Sequence, residues 1–121
     1  MQTGSVRRAG QAKSARVEEG WGSLTWLAGS SVGNSERLTV GRVVIKPGAS
    51  NPRHYHAECE EVLALLTGRL DHAVGAESVL LEPGDALVVP RGVAHSARNI
   101  SEVDAEMIVV YDSGRRDFHP A

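Results

Sequence analysis

Three histidines and one glutamate carry the clearest chemistry in this sequence. His54 and His56 lie two residues apart, Glu61 follows five residues later, and His95 lies farther along the chain. Residues two apart in a β-strand face the same side, so His54 and His56 would present both imidazoles to one point. Three imidazoles and one carboxylate suit a first-row divalent transition metal. We therefore predict one metal site formed by these four side chains, with coordination positions left for water or substrate.

The donor set does not select one metal. Fe, Mn, Ni, Co, Cu and Zn all accept imidazole and carboxylate ligands, and the order of affinities alone does not choose among them. Glu60 is an alternative to Glu61 as the carboxylate ligand, but it would face the other side of its strand. Cys59 lies in the turn between the ligands, and we predict a partly exposed free thiol there.

Short strands bounded by turn residues must position these ligands. Pro47-Gly48, Pro83-Gly84 and Pro90-Arg91-Gly92 are three such turns, and their spacing is typical of an all-β chain. The apolar run that begins at Glu61 is interpreted as the hairpin partner of the strand carrying His54 and His56. No window shows a convincing helical period.

Between these turns the pattern predicts nine short strands, a number that suits a two-sheet jelly roll. They are Ser23–Ala28, Arg37–Lys46, Arg53–His56, Glu61–Thr67, Arg69–Val74, Ser78–Glu82, Ala86–Val89, His95–Asn99 and Asp104–Tyr111.

Two blocks of the sequence resemble the two conserved motifs of the cupin superfamily. The first contains Gly, five residues, His-x-His, four residues, Glu, six residues and Gly. The second contains Gly, five residues, Pro-x-Gly, two residues, His, three residues and Asn. The resemblance implies a cupin jelly-roll β-barrel with a small-molecule substrate or ligand in its interior, and a homodimer. The matching positions are Gly48, His54, His56, Glu61, Gly68, Gly84, Pro90, Gly92, His95 and Asn99.

Length and composition bound the remaining possibilities. The 121 residues suit one domain. A net charge of −2 gives no reason to expect a nucleic-acid partner, and no apolar stretch is long enough to span a membrane. A single cysteine, and basic early residues without an apolar stretch, favour a cytoplasmic location. We divide the chain into a flexible or dimer-swapped N-terminal arm (1–20), the barrel (21–113) and a polar C-terminal tail (114–121).

His72 is the most interesting residue outside the two motifs. It shares one face of its predicted strand with Leu70 and Val74, where cupins usually carry apolar residues that point into the barrel. An imidazole there is either a hydrogen-bonded core residue or a proton carrier facing the substrate, since its pKa lies near working pH. Both interpretations stay open, with the core residue favoured.

Several other polar residues have a structural and a functional interpretation. Arg42 would clamp a substrate carboxylate if it faced into the barrel, and we favour the alternative of a solvated charge. Tyr55 alternates with the histidines and is predicted to pack away from the metal. Asn99 is predicted to form backbone hydrogen bonds, and His119 to be solvated.

These observations support three hypotheses for function. The first is a metal-dependent dioxygenase acting on a small organic substrate, with Glu61 as a ligand or a base. The second is an isomerase, lyase or decarboxylase that uses the metal as a Lewis acid, with His72 as a proton carrier. The third is a non-catalytic protein that binds a metal or a small ligand. The fold itself does not choose among them, because one fold supports many functions.

Overall fold

The computed structural model describes residues 4–121, whose strands form two antiparallel sheets. The six-stranded sheet has the order β1-β2-β3-β10-β5-β8, and the five-stranded sheet has the order β11-β4-β9-β6-β7. The predicted all-β, two-sheet fold is confirmed. The elements are α1 (Ala9–Ser14), β1 (Val17–Glu19), β2 (Gly22–Ala28), a 3₁₀ turn (Ser30–Val32), β3 (Thr39–Ile45), β4 (His54–Tyr55), β5 (Glu61–Thr67), β6 (Leu70–Val74), β7 (Glu77–Leu81), β8 (Ala86–Val89), β9 (His95–Asn99), β10 (Ala105–Tyr111) and β11 (His119–Pro120).

Alternation of side chains along the strands builds the core between the sheets. In β10, every second residue from Ala105 to Tyr111 is buried, and the residues between them are only partly covered. The same alternation occurs along β3 and the first part of β5. This period of two is what a sheet with one buried face requires. The buried apolar residues form one cluster around Ile45, Leu65 and Met107.

Gly68 turns the chain from the six-stranded sheet into the five-stranded one. Its φ is +80°, a left-handed conformation that favours glycine. A Cβ atom on this residue would also lie 2.8 Å from the Cα of Ala105. The glycine thus allows the chain to cross between the sheets against the start of β10.

Asn99 has the structural role predicted for it. Its buried amide nitrogen donates to the carbonyls of Ile45, at 2.9 Å, and Val103, at 2.7 Å. Its side-chain oxygen accepts a hydrogen bond from the backbone N–H of Ser101, at 2.9 Å. These contacts join the end of β9 to the end of β3 and to the loop before β10.

The topology corrects the predicted hairpin. The strand that begins at Glu61 pairs with β10 and β8, not with β4, which belongs to the other sheet and pairs with β9 and β11. The sequence pattern showed two neighbouring strands but not that the turn between them crosses from one sheet to the other. The site is therefore built from two facing sheets.

The segment before residue 21 contains structure that the sequence analysis did not predict. Strand β1 pairs with β2 of the same chain, and Ala12 of helix α1 is buried. The Nε of Arg7 also donates to the carbonyl of Trp26, at 3.1 Å. Residues 1–3 of the predicted arm lie outside the described residues. No helix within residues 4–121 is long and apolar enough to cross a membrane.

Candidate metal centre

The structure brings the four predicted ligands together inside the barrel. His54, His56, Glu61 and His95 are all buried, and one ligand atom from each lies within 4.8 Å of the others. His54 lies directly opposite His95 in the pairing of β4 with β9. Glu61 reaches the same point from the facing sheet. The neighbouring Glu60 is exposed, so Glu61 is the carboxylate at the site.

Each of the three imidazoles is oriented by a backbone carbonyl. The Nδ1 atoms of His54, His56 and His95 lie 2.7, 2.6 and 2.9 Å from the carbonyl oxygens of Pro52, Asp117 and Val93, respectively. A carbonyl oxygen only accepts hydrogen bonds, so each Nδ1 carries the proton. The three Nε2 atoms are therefore left with free lone pairs directed into the cluster.

These lone pairs meet a carboxylate. The Nε2 atoms of His56 and His95 each lie 3.2 Å from Oε1 of Glu61, and Nε2 of His56 is buried without a hydrogen-bond partner among residues 4–121. Several acceptors facing one another in a buried space need a cation between them. Imidazoles whose second nitrogen donates to a carbonyl are the usual arrangement of metal-binding histidines. The side chains thus fit one divalent transition metal ion.

The electrostatics keep these groups in the forms that ligate a metal. Burial lowers the pKa of His54 to about 4, assisted by the nearby His95 and His56, so the ring is neutral at pH 7. Burial by itself would raise the pKa of Glu61, but the close approach of His56 and His95 outweighs that effect and lowers it. A neutral imidazole and an ionised carboxylate are both required for metal binding.

A cavity of about 470 Å³ opens on this cluster. His54, Glu61, His72 and His95 line it, and most of the remaining lining side chains are apolar or aromatic. This volume lies within the usual range for small-molecule sites. The apolar and aromatic lining consists of Trp21, Leu24, Val43, Pro52, Leu63, Ala97, Met107, Val109, Tyr111 and Phe118.

His72 faces into this cavity, as its strand parity predicted. It is buried, and its ring is stacked with that of His95 at a centroid distance of 5.9 Å. Its Nδ1 lies 3.1 Å from the carbonyl oxygen of Ala73, to which it donates. Burial lowers the pKa of His72, with the charge of Glu61 opposing the effect. The ring is therefore a neutral base beside the cluster.

The prediction for Arg42 is confirmed by the structure, whereas the prediction for Cys59 is not. Arg42 lies on the outer face of β3 in an ion pair with Glu106, so it does not reach the cavity and the solvated interpretation is confirmed. Cys59 was expected to be partly exposed, and this was wrong. It is buried against Asp117, and burial with that carboxylate raises the pKa of its thiol to about 11.

Part of the predicted C-terminal tail forms a wall of the site, a role that its sequence did not predict. The Asp117 carboxylate accepts hydrogen bonds from the backbone N–H groups of Ala57, at 2.6 Å, and Glu58, at 3.1 Å. Phe118 is stacked on His54 with a centroid distance of 4.8 Å. His119 is only half exposed, because its ring packs on Tyr55 and its Nε2 lies 2.9 Å from Asp117. We call Arg116–Pro120 the C-terminal wall.

Comparison with known proteins supports this description. The family model described as "Cupin domain" matches residues 41–111. A tetracenomycin polyketide synthase protein, TcmJ, of Streptomyces glaucescens is 34% identical over 90 residues, which are 74% of this chain and 60% of TcmJ. Germin-like protein 3-8 of Oryza sativa subsp. japonica is 33% identical over 85 residues, 66% of this chain and 38% of that protein. The chain thus spans about two fifths of the length of that germin-like protein.

Solved structures show the same fold at lower identity. A structure from a study of the mechanism of oxalate oxidase has a TM-score of 0.78 and 22% identity, and covers 86% of this chain and 57% of its own. The oxalate decarboxylase of Lactobacillus farciminis in a formate complex has a TM-score of 0.81 and 20% identity. That alignment covers 87% of this chain and 32% of the decarboxylase.

Proposed function

The chain belongs to the cupin family, and from this premise we propose that it is a metal-dependent enzyme that acts on a small organic substrate. The observation that carries the proposal is the orientation of the imidazoles, whose Nε2 lone pairs converge on Glu61 at a cavity. A site with these features but no cation would leave buried acceptors unsatisfied. A divalent transition metal, when bound, supplies a site at which substrate oxygens and O₂ are activated.

Dioxygenase-type oxidation is the reaction we favour. Oxalate oxidase 1 of Hordeum vulgare, an oxidase by name, is 30% identical over 88 residues, which are 66% of this chain and 44% of that protein. The apolar cavity lining would exclude water from the reacting groups. His54, His56, His95 and Glu61 would hold the metal, and Glu61 also lines the cavity that would receive the substrate.

His72 is proposed as the proton carrier. Its ring is neutral, buried and in the same cavity as the ligands. A neutral imidazole accepts a proton from a substrate hydroxyl or an α-carbon, and returns it later. This role would serve oxidation and also the second candidate function, a Lewis-acid lyase or decarboxylase. A decarboxylase of the same fold, that of Lactobacillus farciminis, is why we keep this second candidate.

Replacement of His72 by leucine tests this assignment. We expect His72→Leu to keep its fold and metal content, since the leucine would join the apolar lining of the cavity. Turnover should fall about 100-fold. The readouts are metal analysis, thermal unfolding and the rate constant for turnover. Full turnover in the variant would show that His72 only fills the core.

The metal and the reaction class can be tested together. Protein purified without added metal would be assayed for its metal by elemental analysis and for O₂ uptake with a panel of small carboxylic acids. Uptake that disappears in His95→Ala supports O₂-dependent oxidation, the class to which a dioxygenase belongs. Turnover without O₂ uptake favours the Lewis-acid reaction, and a stably bound metal without any turnover favours a binding protein.

A homodimer is proposed from the outer face of the six-stranded sheet. Val40, Val110, Val62 and Val88 lie side by side across β3, β10, β5 and β8, and Val88 is 54% exposed. A continuous apolar row on an outer sheet face is typical of a protein interface. Val88→Lys should shift the sedimenting species from dimer to monomer, whereas a wild-type monomer would contradict the proposal.

We also propose that the protein is located in the cytoplasm. The chain has a single cysteine, Cys59, and therefore no internal disulfide. This composition favours the reducing cytoplasm. Fluorescence microscopy of the tagged full chain would test the location directly.

A further inference from the structure

Arg116 is the cavity residue whose contacts leave the most unexplained. It is the one lysine or arginine among the residues that line the 470 Å³ cavity. Its guanidinium lies over three aromatic rings, 5.1 Å from Trp26, 5.4 Å from Tyr111 and 5.1 Å from Phe118. Ring faces attract a cation and hold it in place. The side chain is thus positioned by its surroundings rather than extended into solvent.

One N–H group of this guanidinium has no acceptor within the described part of the chain. Its Nε is buried without a hydrogen-bond partner within residues 4–121, and none of the ion pairs in that range includes Arg116. A buried N–H without an acceptor is costly, and such groups usually have a partner. The aromatic rings stabilise the charge, but they offer no carboxylate or carbonyl to the N–H groups.

The position of Arg116 relative to the metal cluster indicates which kind of ligand could accept its unused hydrogen bond. Phe118 contacts both Arg116 and His54, and Tyr111 contacts both Arg116 and His56, with ring centroids 4.8 and 4.9 Å from those imidazoles. A small molecule in the cavity would therefore contact the cluster at one end and Arg116 at another. The remaining charged groups that line the cavity, apart from the histidines, are Glu19 and Glu61, which repel an anion.

From this arrangement we infer that Arg116 recognises a carboxylate of the substrate and makes this a site for small organic acids with an apolar body. The planar guanidinium fork matches a carboxylate, and two parallel hydrogen bonds fix its orientation. The apolar lining contacts the body of the acid, and its other polar end faces the cluster. This inference rests on the proposed function, because it names the substrate class of the same cavity.

A purely structural role for Arg116 predicts a different behaviour. If the arginine only packed the aromatic rings, its replacement would weaken the binding of charged and neutral ligands alike. If it recognises a carboxylate, the loss is confined to acids. The discriminating quantity is therefore the ratio of two affinities and not either affinity alone.

The experiment uses matched acids and alcohols as probes. Isothermal titration would measure benzoate against benzyl alcohol and hexanoate against 1-hexanol, on the Zn²⁺-loaded full chain at pH 7.5. We expect wild type to prefer each acid, and Arg116→Gln to lose at least 10-fold in acid affinity while alcohol affinity changes less than 2-fold. Arg116→Lys, which keeps the charge but not the fork, should fall between them.

Arg115→Gln is the matched control, because Arg115 is exposed and lies outside the lining of the cavity. It should leave all four affinities unchanged. A wild-type protein that binds neither acid better than its alcohol, or an Arg116→Gln protein that loses both affinities equally, would overturn the inference.

Repeating the titrations on metal-free protein separates this inference from the proposed function. The guanidinium contacts do not require the metal. The ratio of acid affinities between wild type and Arg116→Gln should therefore persist in metal-free protein. Failure of the chain to bind metal would end the proposed function and leave that ratio intact. A ratio that vanishes in both forms would end the inference alone.

Discussion

The metal cluster and the C-terminal wall lie against each other but are held in place differently. Glu61 and His95 belong to β5 and β9, strands of seven and five residues whose ladders of backbone hydrogen bonds set their positions, and His54 lies opposite His95. The wall has only a two-residue strand, and side chains such as Asp117 and Phe118 hold it. The rigid sheets thus supply the ligands, while the wall supplies the orientation of His56 and part of the cavity lining.

The difference predicts that single substitutions will have unequal effects in the two regions. A change to a cluster residue removes a ligand that nothing else replaces. A change to a wall residue relaxes a contact that neighbouring contacts partly maintain.

Loss of a cluster imidazole should have the largest effect. We expect His56→Ala and His95→Ala each to lower metal affinity at least 100-fold, since each removes one of the four donors. Elemental analysis after dialysis and competition with a chelating dye would measure this. His119→Ala, on the wall, is the control of the same residue type. Full metal occupancy in both cluster variants would show that the metal binds elsewhere.

The pH dependence of the metal-free protein tests the electrostatics of the cluster. In the unfolded chain His54 has a pKa near 6.5, whereas burial lowers it to about 4 in the fold. Between these values the unfolded state binds more protons, so stability is complete above pH 6.5 and falls as the pH drops toward 4. The lowered pKa of His72 acts in the same direction.

The lowered pKa of His54 is expected to reduce the free energy of unfolding by on the order of 3 kcal/mol as the pH falls through this range. Urea unfolding of the metal-free protein at pH 7.0, 5.5 and 4.5 would measure it, and His54→Gln should flatten the curve. A metal-free protein whose unfolding free energy is constant over this range would contradict the lowered pKa.

Replacement of Asp117 tests whether the C-terminal wall supports the metal cluster. Its carboxylate holds the turn at Ala57 and Glu58, and its carbonyl orients His56. Asp117→Ala should therefore cost about 1–2 kcal/mol of stability and lower metal affinity about 10-fold, as is typical when a partner of a ligand is disturbed. Chemical unfolding and dye competition are the measurements.

Asp112 offers a matched control for this prediction, because its carboxylate accepts one backbone hydrogen bond, from Glu60, without contacting a ligand. Asp112→Ala should destabilise the fold slightly and leave the metal affinity unchanged. Equal metal affinities for the Asp117 and Asp112 variants would mean that the wall does not orient His56.

The smallest effect is expected at His119. Its side chain is 45% exposed and pairs with Asp117. Exposed ion pairs contribute little, so His119→Ala should change the unfolding free energy by less than about 1 kcal/mol and leave the metal content intact. Loss of metal from this variant would show that the wall and the cluster are more tightly coupled than their contacts indicate.

The sequence predicted the cluster much better than the wall, and strand periodicity is the reason. Strands β5, β8 and β9 begin and end where the pattern placed them, because alternation and turn residues are local signals. The inward orientation of His72 followed from the same parity. The polar residues of the wall have no period, so they were interpreted as a tail.

Helix α1 and strand β1 were missed for a related reason. α1 has six residues and β1 has three exposed residues, too few for a period to appear. Their structure comes from packing on β2 and from pairing with it. The burial of Cys59 likewise depends on Asp117, which is 58 residues away in the chain.

The sequence by itself determined the identity of the four clustered side chains, the two-sheet fold and the inward face of each long strand. These properties depend on residue type and on a spacing of two, which act over a few residues. Only the tertiary structure decided that Glu61 reaches the cluster from the facing sheet and that Asp117 orients His56. It also decided that Arg116 lies over three rings beside the cavity. Such contacts join residues far apart in the chain, so no local pattern records them.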